Sequence, residues 1–199
     1  RTLYTTRWGP VFTSVLGLPL FPWLPAQAYA LADANAANFR YVNHFLETNR
    51  ARSTRELLQV LERNQGIPWV NTIAADRHGG TLYMDASVVP HMAGAKFASD
   101  CFVVPALLAF DGSRSSCGWG SDPGVPPGVF SPRNGPYLMR DDYVANANDS
   151  FWLTNPKQPL TGYPRILGDE AMHWAILRNA VGEVPVPAAV GKETVAIRI

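Results

Sequence analysis

The hydrophobic positions change period along the chain, and each period predicts an element. Leu3, Thr5 and Arg7 alternate with Thr2, Tyr4 and Thr6, the two-residue period of an extended segment. Gly9-Pro10 interrupts and Val11-Phe12-Thr13 resumes the run, which predicts a hairpin or bent strand pair over residues 1–13. Leu16 to Trp23 is an apolar stretch broken by prolines, expected to cover a core or line a pocket. From Asn35 to Arg50 the spacing becomes helical, with Ala37, Tyr41, His44, Phe45 and Thr48 near one stripe. Ser53-Thr54-Arg55-Glu56 then has the spacing of a capping box. Leu57, Leu58, Val60 and Leu61 form the apolar face behind it, and Gly66 stands where a C-terminal glycine stops a helix. This helical pair is expected to lie on a sheet.

Ile67 to Ala75 and Thr81 to Ala86 are strand-like on either side of Asp76-Arg77-His78-Gly79-Gly80, a hairpin over residues 67–87. Val88 to Asp122 is irregular, and Gly124 to Tyr137 reads as a proline-rich surface loop. The next extended segment is expected at residues 143–149. Glu170 to Ala180 returns to helical spacing, with Met172, Trp174, Ala175 and Leu177 mostly apolar. Thr194 to Ile199 has strand character, and the residues between are linker-like. His44 on the apolar stripe is expected to be structural, and His78, in a turn, solvated.

Composition narrows the class. With 199 residues, 47% of them hydrophobic and 17% charged, the chain can bury a core and is no disordered tail. The 16 glycines and 17 prolines fit a turn-rich fold. A net charge of +1 with scattered Lys and Arg gives no electrostatic footprint for nucleic acid. The most apolar run, Val11 to Leu24, is too short and too interrupted to span a membrane. A basic n-region followed by an apolar stretch and a small-residue cleavage site is absent, so no signal peptide is expected. Cys101 and Cys117 have neither a second pair nor a histidine at ligand spacing, so zinc is not expected and no cofactor is assigned. They are either a disulfide, which would contribute about 3 kcal/mol through the unfolded chain, or two buried thiols. Ser116 beside Cys117 is not framed as a nucleophile elbow.

Candidate chemistry centres on Tyr143-Val144-Ala145-Asn146-Ala147-Asn148. In an extended chain Val144, Asn146 and Asn148 share one face. Asparagine is depleted in strands because its amide competes for backbone partners. Two readings account for the pair. The amides are caps and Asx turns where a strand ends, helped by Asp149-Ser150 and Asn155-Pro156. Alternatively, one amide is held rigidly as a donor to a developing oxyanion.

The run DDYVANANDSFWLTNPKQPLTG resembles a segment of the penicillin-acylase branch of the N-terminal-nucleophile (Ntn) hydrolases, nearest to the acyl-homoserine-lactone and aculeacin-type acylases. PWVNTIAAD and LYMD resemble the hairpin of that family's central sheet, and the Gly9-Pro10 element resembles a strand-GP-strand element with Trp8 where histidine is common. The resemblance covers about Arg1 to Glu170. It implies a partial αββα sandwich of α+β class, with residues 1–180 part of the acylase β-chain domain and 181–199 a divergent tail. It implies that Asn148 helps form the oxyanion hole and that Arg178 supports it. That segment departs from the family's succession of arginines. The resemblance also places Trp69 at the acyl pocket, and Phe45 is added as a neighbouring candidate from its helix face alone. Because the resembling enzymes are exported, it favours a periplasmic or secreted protein with Cys101 and Cys117 paired.

Ntn hydrolases use a chain-terminal Ser, Thr or Cys as nucleophile and its α-amine as base. Residue 1 here is Arg and Thr2 is a poor substitute. The chain is therefore expected to be an internal portion of an acylase, inactive alone. Its expected partners are an N-acyl small molecule and the rest of the enzyme, meaning the α chain and the start of the β chain. A partial sandwich exposes edges, so self-association is also expected. The competing reading is a non-catalytic binding or structural module on the same scaffold.

Overall fold

Ser53 starts a helix as its spacing demands. Its backbone is extended, and its hydroxyl accepts from the Glu56 N–H at 3.1 Å. Glu56 reaches back to the Arg52 N–H at 2.8 Å, one residue earlier than a reciprocal box requires. A carboxylate from elsewhere completes the cap: Asp76 accepts from both the N–H and the hydroxyl of Thr54, each at 2.9 Å. Negative charge at free N–H groups is favourable, because those groups have no partner within the helix. This computed structural model describes residues 2–15, 17–68, 70–85, 87–104, 109–147 and 151–167, and all that follows concerns them.

The helix so capped, α2 (Thr54–Asn64), ends differently from the sequence reading. The left-handed residue is Gln65, with φ 44°, and not the glycine. Gln65 is held there because its buried side-chain amide donates to the carbonyl of Phe130. Gly66 is required for another reason. A Cβ there would lie 2.7 Å from the His44 Cβ and 2.9 Å from the Arg40 carbonyl oxygen. The seam is closed by Asn38 donating to the Gly66 carbonyl at 3.0 Å and Arg40 Nε donating to the Gln65 carbonyl at 3.2 Å.

The preceding helix, α1, is shorter than predicted, Tyr41–Thr48, and of its residues only His44 is buried. Asn35 and Asn38 divert the earlier residues. The Asp33 carboxylate takes the Asn35 N–H, and the Asn38 amide bonds the Asn35 side chain. Such local bonds compete with a helix for the same backbone. α1 packs against α2, and α2 against the sheet.

That sheet is antiparallel, in the order β4 (Asn71–Ala75), β5 (Thr81–Asp85), β8 (Tyr137–Arg140). The β4–β5 hairpin lies where it was read. Gly79 takes φ +87°, and Asp76 accepts from the N–H groups of His78 and Gly80. One carboxylate therefore ties the turn to the start of α2. Those bonds, first that from the Thr54 N–H, hold it well below the usual carboxylate range. The third strand corrects the sequence reading. Of the strand expected at 143–149, the described residues 143–147 are not a strand, and the pairing segment is Tyr137–Arg140, which starts at the last residue of the stretch taken for a surface loop.

β5 is buried on both faces. Leu82 and Met84 meet Leu61 and Ile67 under α2. Tyr83 points the other way, into a cluster with Leu138, Phe151, Trp152, Leu153 and Leu160. Away from this sheet, β1 (Thr5–Thr6), β2 (Gly9–Phe12) and β3 (Tyr29–Ala30) form a second antiparallel sheet. Its first turn is Arg7–Trp8, so Gly9-Pro10 sits inside the strand and not at the turn. A Cβ at Gly9 would lie 1.9 Å from the Leu31 carbonyl oxygen. Phe21 is the buried residue of the Leu16–Trp23 stretch and packs on Phe12 and Tyr29, while Leu18, Leu20 and Trp23 stay about half exposed.

β6 (Phe102–Val104) and β7 (Ala109–Phe110) pair in the region read as irregular, and Cys101 and Cys117 are joined as a disulfide. The architecture is α+β, consistent with a partial sandwich.

Replacing Leu82, fully buried against α2, with Ala should lower unfolding free energy by about 2–5 kcal/mol. Ser53→Ala should cost about 1 kcal/mol through the lost cap. Urea unfolding followed by circular dichroism measures both.

Candidate functional site

The asparagine-bearing segment follows β8 and folds over the Tyr83 face of the sheet. Arg140, the last residue of β8, grips Asp142 with two nitrogens, Nε on Oδ1 and Nη2 on Oδ2, the latter at 2.9 Å. Its remaining amine donates to Gln158 at 3.1 Å. Asp142 also accepts from the Tyr143 N–H at 2.7 Å and from Lys157 Nζ at 3.0 Å. The Arg140 fork, then the Tyr143 N–H and Lys157, hold this carboxyl far below its ordinary range. A bidentate guanidinium contact is both stronger and more directional than a single ion pair.

Backbone groups that a strand would have paired are taken up locally. Asn155, fully buried, donates to the Tyr143 carbonyl at 2.8 Å and accepts from the Lys157 N–H at 2.9 Å. The Thr154 carbonyl accepts from the Ala145 N–H at 3.0 Å. Asn155-Pro156 is thus a turn, as its chemistry indicated, and a buried clamp as well. Phe151, Trp152 and Leu153 wedge the far side of the loop into the core.

The stretch is pinned from the sheet too. Asn146 Oδ1 accepts from the Asn71 amide at 3.2 Å, and Asn71 Oδ1 accepts from the Tyr83 hydroxyl at 2.9 Å. Sequence reading named neither Asn71 nor Tyr83. The signal that marked Asn146, an asparagine among strand formers, is equally present in Trp69-Val70-Asn71-Thr72-Ile73. The arrangement holds the Asn146 amide by its oxygen on an irregular, tied-down track, which fixes the direction of the amide plane.

Of the predicted site residues, Asn148, Trp69 and Arg178 lie outside the described residues. Phe45 is 52% exposed on α1, its ring edge-on to His44 at 5.6 Å. His44 is fully buried; its Nδ1 accepts from the Gly66 N–H at 3.4 Å, while Nε2 has no partner among the described residues. Burial pushes its pKa down, so it sits in the core as the neutral imidazole. His78 is exposed in its turn.

His91, which the sequence did not single out, stacks on Phe130 at 4.1 Å and lies 3.1 Å from Asp122. Asp122 also accepts from the Ser131 N–H at 2.7 Å and the Asn134 amide at 2.6 Å, and these bonds, Ser131 first, lower its pKa. That pair ties irregular segments together. The opening between α2 and the β4–β5 turn, about 530 Å³, is lined by Ser53, Thr54, Asp76, His78 and Arg140 among others. Its carboxylate from Asp76 is engaged in capping. No helix among the described residues is long and apolar enough to cross a membrane.

Comparison with known proteins adds a further finding. The penicillin amidase family model matches residues 1–175. Aculeacin-A acylase of Actinoplanes utahensis is 47% identical over 179 residues, covering 85% of this chain and 22% of that protein. Acyl-homoserine lactone acylase PvdQ of Pseudomonas fluorescens is 40% identical over 173 residues, again 85% and 22%. The Pseudomonas putida protein of that name is 41% identical over 167 residues, 82% and 21%. The chain spans about a fifth of the length of the curated relatives it matches.

The depressed Asp142 carboxyl generates a pH prediction with a definite sign. A carboxyl lowered in the fold contributes stability above its unfolded pKa of about 4, and loses it as pH falls through the folded value. Asp142→Asn should therefore be less stable than the parent at pH 7, with the gap narrowing as the solution is taken below about pH 4. Urea midpoints across that range measure it, and a constant gap would separate Asp142 from the acid dependence.

Proposed function

Because the chain belongs to the penicillin amidase family, we propose that it is a portion of an amidohydrolase cleaving the amide bond between an acyl chain and an amine-bearing head group. The observation that carries this reading is the track at 142–147. It is irregular, pinned by Asp142, Asn155 and Asn71, and it leads directly into Asn148. The relatives named as acylases supply the reaction class. The proposed substrates are N-acylated homoserine lactones, lipopeptides or β-lactam side chains, and the names acyl-homoserine lactone acylase and aculeacin-A acylase support an N-acyl substrate.

In the proposed mechanism a terminal hydroxyl or thiol, with its own α-amine as base, attacks the amide carbonyl carbon. The carbonyl oxygen becomes negative, and the Asn148 amide donates to it alongside a backbone N–H. The C–N bond then breaks, and the amine leaves with the proton the base has taken. Water adds to the acyl-enzyme, releases the carboxylic acid and restores the nucleophile. That nucleophile is assigned to other sequence of the parent enzyme, a proposal supported by the 22% coverage of the relatives. Trp69 is assigned to the acyl pocket and Arg178 to the support of Asn148. Phe45 is the further pocket candidate, and its exposed ring would then be covered by the rest of the enzyme.

Export to the periplasm or medium is part of the proposal. Its support is the Cys101–Cys117 disulfide, since such bonds persist in oxidising compartments.

In the full-length enzyme, Asn148→Ala should lower kcat on a fluorogenic acyl-amide by about 10²- to 10³-fold with KM little changed, the loss typical of one oxyanion donor. Unchanged turnover would remove Asn148 from the mechanism.

A further inference from the structure

The Asn71–Asn146 contact joins residues 75 positions apart and crosses from the sheet to the loop. Its sheet end is unusually well fixed. Tyr83 is 1% exposed, and its ring packs with Leu138, Phe151, Trp152 and Leu153. The hydroxyl emerges at the β4 side and meets Asn71 Oδ1 at 2.9 Å. Asn71 itself lies across from Asp85, so β5 sets its backbone position too. With its oxygen facing the phenol, Asn71 turns its NH2 group to Asn146 Oδ1 at 3.2 Å. Hydrogen-bond order thus runs from a rigid core phenol, through a strand amide, to the side chain two residues before Asn148.

We propose that Asn71, itself oriented by Tyr83, is a positioning residue for the amide-cleaving step, acting by fixing Asn146, two positions before the proposed oxyanion donor in the sequence. This rests on the assignment of Asn148 to the oxyanion hole. The other clamps act earlier in the loop: Asp142 and Asn155 hold Tyr143, and Thr154 holds Ala145. Asn71 holds Asn146, two positions before Asn148 in the sequence. Asn71 is exposed and Asn146 half-buried, so a single neutral bond between them contributes little to global stability. Its consequence is geometric. Donors act on a developing charge only when placed to within a few tenths of an ångström, and a displacement of about 1 Å costs roughly 10²-fold in rate.

The test compares Asn71→Ala, Asn71→Asp, Asn148→Ala and the Asn71→Ala/Asn148→Ala double variant in the full-length enzyme, reading kcat, KM and thermal midpoint with a fluorogenic acyl-amide. Asn71→Ala should lower kcat by about 10- to 100-fold while KM and thermal midpoint stay near the parent's. Asn71→Asp keeps the acceptor facing Tyr83 and loses the donor facing Asn146, so it should show the same loss; being isosteric, it carries the test if the alanine variant folds poorly. The double variant should be no slower than Asn148→Ala alone, because a residue acting through another adds nothing once that other is gone. Parent-like kcat in both Asn71 variants beside an impaired Asn148→Ala would overturn the positioning role and leave the oxyanion reading standing. So would a double variant slowed by the product of the two single losses. Parent-like turnover in Asn148→Ala would overturn both.

Discussion

Burial of β5 on both of its faces is the constraint from which the described structure follows. Even one buried face sets a strand's register, because a slip of one residue turns its apolar set to water. Here Leu82 and Met84 fill one side and Tyr83 the other, so a one-residue slip would exchange two sets of different shape and both packed faces hold the register. That fixed strand locates α2 above one face and the Phe151–Leu153 wedge below the other. It also fixes its neighbours through the registers Ala74 with Leu82 and Leu82 with Met139. The polar contacts then act on a frame that is already set. Asp76 couples the β4–β5 turn to the helix start, and Tyr83 carries the core's rigidity out to Asn71.

Where periodicity was long and uninterrupted, the sequence was readable. The apolar face of α2 and its serine cap, and the hairpin with its glycine turn, follow from patterns of eleven and five residues respectively. Where side-chain amides or carboxylates captured the backbone, the pattern misled. Asn35 and Asn38 shortened α1, and Asp142 with Asn155 turned an apparent strand at 143–147 into a clamped loop. The strand at Tyr137–Arg140 escaped notice because four residues between Gly135-Pro136 and Asp141-Asp142 carry too little alternation to show. At the candidate site the sequence singled out the asparagine-bearing segment but not its supports. Asn71, Tyr83, Asp142 and Asn155 are brought together by the fold from four places in the chain, and their convergence has no period to detect.

An amide intended to meet a transient negative charge cannot sit within a regular ladder, since its strand neighbours' requirements would dictate where it points. Nor can it sit in a loose loop, because the ordering would then be charged to the transition state. The segment 142–147, which precedes the proposed donor in the sequence, is neither a regular ladder nor loosely tied. Its backbone departs from strand geometry, yet the Tyr143 carbonyl and the Ala145 N–H still find partners in Asn155 and Thr154. The bidentate Arg140–Asp142 contact anchors its entrance, and Lys157 ties that carboxylate to the loop's exit.

The surface carries a complementary argument. α1 presents Tyr41, Val42, Phe45 and Leu46 about half exposed, with Phe39 just before it 76% exposed, and Ile73 on β4 is also about half exposed. Apolar side chains gathered on one helix and beside a sheet edge mark surfaces suited to contact with other protein. The chain spans about a fifth of its relatives' length, and in the proposed parent enzyme the remaining protein would supply such a covering. The same geometry relates the two kinds of surface. β5 excludes water from the middle of the sheet, whereas β4, with Asn71 and Ile73 on its outer face, stands where further structure would meet both the apolar strip and the pinned amide. If that covering also brings the nucleophile, dry packing and the oriented amide would arrive in one place, and a hydrogen bond to a developing charge is strongest where water is excluded.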